Sequence, residues 1–302
     1  MARSIGLAHI IRHEDGTSTG VWGLYTLKSA FQPIFAFVDG KLPLVAFEGL
    51  IRPFRDDEAL TPARFFATCP AGERLPVEAV TRTLHLLNAG ACLPEQVSVF
   101  INFDPSVFTE RMIADNALRE MRLVLHEAGV DPRRVVCEVT EQRSASQETL
   151  FDFVAALKDN GFRIAVDDYG ADDSDIERIR ELKPDIVKFD AQWATQLMET
   201  GPGFALLTTM VSAFEQQGIK TLFEGIEESW QLELAEQSGA SMVQGFALAR
   251  PQIVPADFHA FGSSGEAATD KGKVAQAEPE AGEAPATRPQ KPARAFGRRI
   301  VP

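Results

Sequence analysis

The chain has 302 residues, of which 45% are hydrophobic and 24% are charged, which suits one large domain or two small ones and excludes a wholly disordered protein. A formal net charge of −13 argues against a general nucleic-acid binder, because such proteins neutralise phosphates with a basic face. The three cysteines, Cys69, Cys92 and Cys137, are widely spaced, which argues against a disulfide framework and a thiolate zinc site.

Residues 1–26 are interpreted as a lead-in with a turn at Asp15-Gly16. The polar and charged residues at 13–15 follow the first apolar stretch too soon for a secretory signal peptide. No apolar run elsewhere approaches the ~20 residues that a membrane-spanning helix needs. We therefore expect a cytoplasmic protein without a membrane span.

Short apolar runs then alternate with segments of helical periodicity, which is the pattern of βα units around a parallel sheet. Only a few residues around Asp39-Gly40 join the first two runs, too few for a crossover helix, so we expect an antiparallel hairpin. Helices are predicted at 105–128, 146–159, 191–217 and 229–238, each shortly before a glycine. The eight runs span 31–38, 43–51, 97–102, 135–140, 162–168, 185–190, 220–225 and 242–248.

Eight strands with one irregular entry predict an α/β fold, a modified (β/α)8 barrel of the TIM type over residues 27–262, with an antiparallel first strand pair. An open doubly wound sheet is less favoured because no glycine-rich phosphate loop follows the first strand. From residue 263 to 302 the composition predicts a disordered low-complexity tail. Its basic end could contact a protein partner or a membrane surface, or could simply aid solubility.

Polar residues recur at the ends of the predicted strands, where a barrel of this kind has its active site. An acidic side chain in a low-dielectric barrel mouth is costly unless a cation compensates it. One lysine cannot neutralise six or more carboxylates, so we infer bound metal. In chain order these residues are Glu48, Asn102, Glu138, Glu141, Asp167, Asp168, Lys188, Asp190, Glu224, Glu227 and Gln244.

The ligand atoms on offer are oxygens, because the five histidines lie outside these runs, and oxygen ligands favour Mg²⁺ or Mn²⁺ over zinc or copper. The adjacent Asp167 and Asp168 suit a bridging carboxylate in a two-metal site, which predicts phosphodiester hydrolysis. Each residue also has a simpler interpretation. Asp168 or Glu141 could cap the following helix, and Lys188 could merely balance Asp167. Seven polar strand ends are harder to assign to capping, so the set favours the functional interpretation.

Eight segments occur in the order and with the spacing of one known family. They are FQPIF (31–35), FEGLIRP (47–53), INFDP (101–105), EVTE (138–141), VDDYG (166–170), PDIVKFD (184–190), EGIE (224–227) and VQGFALARP (243–251). Over roughly residues 28–262 the chain thus resembles the EAL-domain family of cyclic di-GMP phosphodiesterases.

The resemblance implies a two-metal site and a role for each matching residue. The first metal would be held by Glu48, Asn102, Glu138 and Asp167, and the second by Asp167, Asp168 and Glu224. Lys188 would orient or deprotonate the attacking water, and Glu224 and Gln244 would complete the catalytic group, with Gln244 at a water on the metal.

The resemblance also implies that one phosphodiester of cyclic di-GMP is opened to give linear pGpG, by a protein that forms a homodimer. Glu141 and Glu227 would anchor the loop after Asp168. Arg52 suits a phosphate oxygen through its fixed fork of donors. The residues expected to contact the dinucleotide are Gln32, Glu48, Leu50, Arg52, Asn102, Asp190 and Gln244.

Two segments depart from the family pattern. The namesake Glu-Ala-Leu reads Glu48-Gly49-Leu50, which keeps the carboxylate and predicts a locally looser strand. The loop usually written Phe-Gly-Thr-Gly-Tyr-Ser-Ser is replaced by residues 169–175, in which Asp172 disfavours a positive φ and three carboxylates repel an anionic substrate.

Three hypotheses follow for the function. The first is an active phosphodiesterase. The second is a catalytically inactive module that binds cyclic di-GMP or a partner protein. The third, a barrel enzyme for another phosphate or an enolisable acid, would make the motif set a coincidence.

Overall fold

Eight strands close into a barrel in the computed structural model, which describes residues 5–104, 111–140, 147–171 and 176–263. The strands are β1 Ile10–Arg12, β2 Ser18–Trp22, β3 Tyr25–Ala36, β4 Leu44–Arg55, β5 Glu58–Ala59, β6 Ser98–Phe103, β7 Val135–Thr140, β8 Arg163–Tyr169, β9 Ile186–Phe189, β10 Lys220–Phe223, β11 Met242–Val243 and β12 Gln252–Ile253. The helices are α1 Ile5–Ala8, α2 Pro62–Thr68, α3 Arg74–Cys92, α4 Arg111–Ala128, α5 Gln147–Asp159, α6 Ile176–Leu182, α7 Ala191–Met198, α8 Gly201–Gln216, α9 Ser229–Gln237 and α10 Ala260–Ser263.

The strands of the barrel follow the order β3, β11, β10, β9, β8, β7, β6, β4, and the pairing of β4 with β3 closes the ring. β3 runs antiparallel to both of its neighbours, whereas the other adjacent pairs are parallel. The predicted modified barrel with an antiparallel first strand pair is therefore confirmed. Helices of the connecting segments pack on its outer face, where most of the apolar core lies.

The lead-in carries more secondary structure than its short polar sequence suggests. β1 and β2 form an antiparallel pair. β2 also pairs antiparallel with β3, which begins at Tyr25. The lead-in thus extends the sheet beyond the barrel, and α1 packs against α3. The domain boundaries at 26/27 and 262/263 stay predictions. Glu141, loop positions 172–175 and residues 264–302 of the tail lie outside the described residues.

The helix predicted over 191–217 is wrong as a single element, because the structure divides it into α7 and α8. Thr200 caps α8 by accepting a hydrogen bond at Oγ1 from Gly203 N, at 3.1 Å. Pro202 lies in the first turn of α8, where its missing N–H costs nothing. The Gly-Pro-Gly sequence therefore starts a new helix.

Two further findings concern the whole described part of the chain. No helix within it is both long and apolar enough to cross a membrane. The three cysteines are free thiols, with Cys137 buried and the other two half-buried.

Candidate metal centre and substrate site

An apolar layer fills the barrel interior below the candidate site. Each of seven strands contributes one inward side chain to it, namely Ile34, Ala46, Phe100, Val136, Ala165, Ile186 and Leu222. Side chains on a strand alternate between its two faces, so the residue two positions on also faces the barrel axis. Two positions toward the carboxyl ends of the parallel strands, and two back on the antiparallel β3, lie Gln32, Glu48, Asn102, Glu138, Asp167, Lys188 and Glu224.

Lys188 lies at the centre of this polar layer, with 1% of its side chain exposed. Its Nζ lies 2.7 Å from Glu224 Oε1, 3.0 Å from Asp167 Oδ1 and 3.6 Å from Glu48 Oε1. It also forms an ion pair with Glu138, whose side chain is fully buried. Carboxylates from four strands or strand ends therefore meet around one ammonium group, as the strand-end pattern predicts.

The acids outnumber this cation, and their pKa values reflect the imbalance. Burial, followed by the charges of neighbouring acids, raises the pKa of Glu138 well above its ordinary value and that of Glu224 to about 8. Burial by itself would lower the pKa of Lys188, but the surrounding carboxylates outweigh it and raise that pKa well above normal. Lys188 is thus a protonated hydrogen-bond donor in this arrangement.

A bulge in β8 brings two adjacent acids to the same site. Tyr169 pairs with Phe189 and Val166 with Val187, so Asp167 and Asp168 together oppose Lys188. Asp168 has a φ of 56°, a left-handed conformation that is uncommon outside glycine. In a regular strand the two side chains would point to opposite faces. Partial desolvation and the charge of Asp167 raise the pKa of Asp168 to about 6.

The donor set fits a divalent cation. One oxygen each from Glu48, Glu138 and Glu224 lie within 4.8 Å of one another, and the same holds for Asp167, Asp168 and Glu224. Glu138 Oε2 and Gln244 Oε1 are buried without a hydrogen-bond partner among the described residues. Unsatisfied buried oxygens of this kind are the ligands that Mg²⁺, Mn²⁺ and Ca²⁺ prefer.

Two amide side chains donate hydrogen bonds at the mouth of the barrel. Gln244 Nε2 donates to Glu48 Oε2 at 2.9 Å, and Gln32 Nε2 donates to the carbonyl of Ala249 at 3.2 Å. The next residue, Gly245, packs directly on the backbone of Ile226, where a Cβ atom would lie 2.0 Å from the Ile226 carbonyl oxygen. The chain turns just after this point, where Leu248 N donates to the Gly245 carbonyl at 3.1 Å, so the run predicted over 242–248 forms a strand only at Met242–Val243.

The remaining predicted residues differ in their exposure and in the contacts that the structure shows. Asn102 is exposed, and it lies opposite Glu138 in the parallel pairing of β6 with β7. Arg52 is half-buried, and its Nη1 donates to the carbonyl of Ile51 at 3.0 Å. The backbone N–H of the exposed Glu227 donates to Gln231 Oε1 at 2.8 Å. Asp190 caps α7 by accepting a hydrogen bond from Trp193 N at 2.8 Å, a structural role that the sequence analysis does not assign.

The alternative role of Asp168 as a helix cap is not supported, since Asp168 and the following Tyr169 both lie within β8. The other capping candidate, Glu141, falls outside the described residues.

A cavity of about 330 Å³ that the sequence analysis missed opens beside Leu50 and Asn102. Arg74 and Arg82 of α3 flank Glu78 at 3.7 Å and 3.4 Å, and all three line the cavity. Burial raises the pKa of Glu78 to about 7. The signal was present in the sequence, because charges four residues apart in an otherwise apolar helix share one face.

An exposed aromatic side chain was also missed. Phe246 is 45% exposed and lines a cleft of about 250 Å³ together with Gln32, Glu48, Glu224 and Gln244. Arg250 lies over its ring at 4.3 Å from the centroid. The position of Phe246 two residues after a strand-end amide could have marked it as part of the mouth.

The comparisons with known proteins agree with one another. A family model described as EAL domain matches residues 24–251. The uncharacterized EAL-domain containing protein YkuI of Bacillus subtilis is 28% identical over 226 residues, which cover 73% of this chain and 54% of that protein. The cyclic di-GMP phosphodiesterase RocR of Pseudomonas aeruginosa is 30% identical over 164 residues, 53% of this chain and 40% of RocR.

Solved structures show the same barrel. The crystal structure of YkuI with substrate c-di-GMP and calcium superposes with a TM-score of 0.66 at 25% identity, covering 78% of this chain and 61% of YkuI. Klebsiella pneumoniae BlrP1 in complex with calcium and c-di-GMP gives 0.64 at 25% identity, covering 75% and 56%. A manganese complex of BlrP1 gives 0.65 at 24% identity with the same coverage. The chain spans about half or less of the length of the curated relatives described here.

Proposed function

Because the chain belongs to the EAL domain family, we propose that it is a metal-dependent phosphodiesterase that hydrolyses cyclic di-GMP to linear pGpG in bacterial second-messenger signalling. Relatives with this named activity, such as RocR, and the dinucleotide complexes of YkuI and BlrP1 support the choice of substrate.

The observation that carries the proposal is the convergence of acids from separate strands on Lys188. Glu48, Glu138, Asp167 and Glu224 all contact its Nζ at the carboxyl end of the barrel. Burying four carboxylates around one ammonium is costly, and an added divalent cation would remove that cost. Such an arrangement is typical of a metal site rather than of a structural ion pair.

We assign Mg²⁺ or Mn²⁺ to this centre in two positions. Glu48, Asn102, Glu138 and Asp167 would hold the first ion, and Asp167, Asp168 and Glu224 the second. When bound, the ions would lower the pKa of the attacking water and stabilise charge on the phosphodiester oxygens.

The chain's own groups would position the substrate. Lys188, as a cation with three donors, would orient the attacking water by hydrogen bonding. Gln244 would hold Glu48 in place through the bond between their side chains. Arg52 would bind a phosphate oxygen with its planar fork of donors. The cavity beside Leu50 has the volume to hold one base of the dinucleotide.

The test is to incubate the purified protein with cyclic di-GMP and Mg²⁺ or Mn²⁺ and to measure pGpG by chromatography. We expect turnover with metal, none with EDTA, and none with Glu48→Gln, which keeps the shape of the side chain but removes a charged ligand. Glu233→Gln, on the surface of α9, is the matched control and should leave turnover unchanged. Absence of pGpG with every metal tried would refute the proposal.

An inactive binding module is the second candidate. Its support is the altered signature at Gly49 together with the three carboxylates that the sequence has at positions 172–175, where the family pattern has none. It predicts binding of cyclic di-GMP without turnover, or capture of a protein partner that Glu48→Gln leaves intact. Calorimetry with cyclic di-GMP on protein that yields no pGpG separates the two candidates.

The cytoplasmic location, the homodimer and a protein partner for the tail are further proposals. Sedimentation of the purified chain tests the dimer. Deletion of residues 264–302 tests the role of the tail in capturing a partner.

A further inference from the structure

Gly49, the departure inside the Glu48-Gly49-Leu50 signature, lies so close to a neighbouring side chain that a larger residue would require a shift of a few tenths of an ångström. A Cβ atom added at Gly49 would lie 3.1 Å from His85 Cγ and 3.3 Å from both His85 Cβ and Ile101 Cδ1. The two histidine atoms lie at the root of the side chain, so rotation of the ring cannot move them away. From the sequence alone, Gly49 predicts a looser β4. In the structure Gly49 packs closely against His85 of α3.

His85 is held in this position by buried hydrogen bonds. It is 2% exposed, and its Nδ1 shares a hydrogen bond of 2.9 Å with Ser29 Oγ of β3. Asn88 Nδ2 donates to the same Ser29 oxygen at 3.0 Å, which leaves the Ser29 hydroxyl hydrogen for the ring nitrogen. Burial lowers the pKa of His85 to about 3, so the ring is neutral and can accept it.

The same series of hydrogen bonds continues from Asn88 to the lead-in, residues 1–26. Asn88 Oδ1 accepts from Ser18 N at 2.7 Å, and Asn88 Nδ2 donates to the Ser18 carbonyl at 3.0 Å. Ser18, Ser29, Asn88 and His85 thus connect β2, β3 and α3 in one buried network. Buried polar networks that are fully hydrogen-bonded hold their members in a single arrangement.

We infer that Gly49 and His85 form a fitted pair through which α3 sets the position of β4, so that His85 is a positioning residue for the carboxylate of Glu48. Gly49 faces α3, and the neighbouring Glu48 faces the barrel axis, because successive side chains alternate. A shift of β4 by a few tenths of an ångström at Gly49 therefore moves Glu48 relative to Gln244 and Lys188. The inference rests on the proposed function in that it treats Glu48 as a metal ligand.

The test is a double-mutant cycle on Gly49→Ala and His85→Ala, read by the affinity for Mn²⁺ alone in calorimetry, well below the unfolding temperature. We expect Gly49→Ala to weaken Mn²⁺ binding about tenfold or more, the range seen when a group that orients a ligand is disturbed. The double variant, which lacks His85 Cγ, should bind Mn²⁺ within about threefold of His85→Ala, so that the two changes are not additive.

His85→Asn is the conservative variant. Its side-chain amide can keep the bond to Ser29, and it should retain Mn²⁺ affinity close to that of the wild type. Gly20→Ala is the matched control, since a Cβ there would make equally tight contacts, at 3.2 Å from Leu27 Cβ of β3 and 3.3 Å from Val80 Cγ1 of α3. Gly20→Ala should lower the unfolding temperature and leave Mn²⁺ affinity unchanged.

Two outcomes overturn the inference: unchanged Mn²⁺ affinity in Gly49→Ala, or additive effects in the cycle. A crystal structure of Gly49→Ala without metal provides a second test, through the distance between Glu48 Oε2 and Gln244 Nε2. We expect Glu48 Oε2 to move from its 2.9 Å contact with Gln244 Nε2, and an unchanged contact would refute the inference. If the wild-type protein binds no Mn²⁺, the proposed function is refuted. The crystal structure of Gly49→Ala would still test whether Gly49 and His85 set the position of Glu48.

Discussion

Gln244 Nε2 donates a hydrogen bond of 2.9 Å to Glu48 Oε2, and so joins the end of β11 to β4 across the mouth of the barrel. The amide is buried and leaves its own Oε1 without a hydrogen-bond partner among the described residues. Gln244 therefore both orients one carboxylate and offers a further oxygen to the centre.

Gln244→Ala should weaken Mn²⁺ binding by about 10- to 100-fold, because Glu48 would lose the bond that fixes its orientation. Calorimetric titration with Mn²⁺ measures this loss. Gln216→Ala removes an exposed amide from α8 and should leave the affinity as it is. If both variants bind Mn²⁺ as the wild type does, Gln244 does not orient Glu48.

Lys188→Met should destabilise the protein by about 3 to 5 kcal/mol, because it leaves the buried carboxylates without their cation. Added Mn²⁺ should raise the unfolding temperature of this variant more than that of the wild type, since the ion replaces the missing charge. Thermal unfolding with and without Mn²⁺ gives both quantities.

Lys220→Met is the control for this change, because Lys220 is 59% exposed and pairs with Glu215 at 3.2 Å on the surface. Exposed ion pairs contribute about 0 to 1 kcal/mol, so little change is expected. Full stability of Lys188→Met in EDTA would contradict the view that Lys188 offsets the charge of the acids.

Phe246→Ala should weaken binding of cyclic di-GMP by about 5- to 100-fold, the effect of losing one base stacked on an aromatic ring. Phe246 is exposed at the cleft that Glu48 and Glu224 line, where a base can reach its ring. Binding is measured in Ca²⁺ to limit turnover. Phe246→Trp should preserve affinity, and Leu24→Ala, at an exposed turn far along the sheet, should not alter it. Equal affinities for Phe246→Ala and wild type would exclude a stacking role.

Glu78 should make stability depend on pH. Burial raises its pKa from 4.5 to about 7, so between these values the folded protein binds more protons than the unfolded chain. The free energy of unfolding therefore falls as the pH rises: the contribution of Glu78 is fully present below the unfolded pKa and is lost as the pH passes the folded pKa.

The unfolding free energy of the wild type minus that of Glu78→Gln should fall by about 1 to 3 kcal/mol from pH 5 to pH 8. Urea unfolding at the two pH values measures it. Glu58→Gln changes an exposed carboxyl on β5 and should show no comparable trend. A rise with pH in the unfolding free energy of the wild type relative to Glu78→Gln would mean that Glu78 is stabilised in its charged form.

Much of the fold could be predicted because strand periodicity is local. The eight runs, the hairpin at Asp39-Gly40 and the family resemblance are confirmed by the barrel order and by the EAL domain match. The strand lengths and the break between α7 and α8 could not be predicted from periodicity. The end of β11 comes before a turn closed by hydrogen bonds to the Gly245 carbonyl, and the helix break depends on the Thr200 cap.

The sequence by itself determined which residues could serve the centre, since an acid, amide or lysine two positions beyond a buried strand residue must face the same side as that residue. Only the tertiary structure decided how they meet. Closure of the barrel brings Gln244 to Glu48, the bulge of β8 turns Asp167 and Asp168 to one site, and the fit of Gly49 to His85 depends on where α3 packs. These contacts join residues far apart in the chain, and their distances follow from strand register and helix packing, which no local pattern of residues specifies.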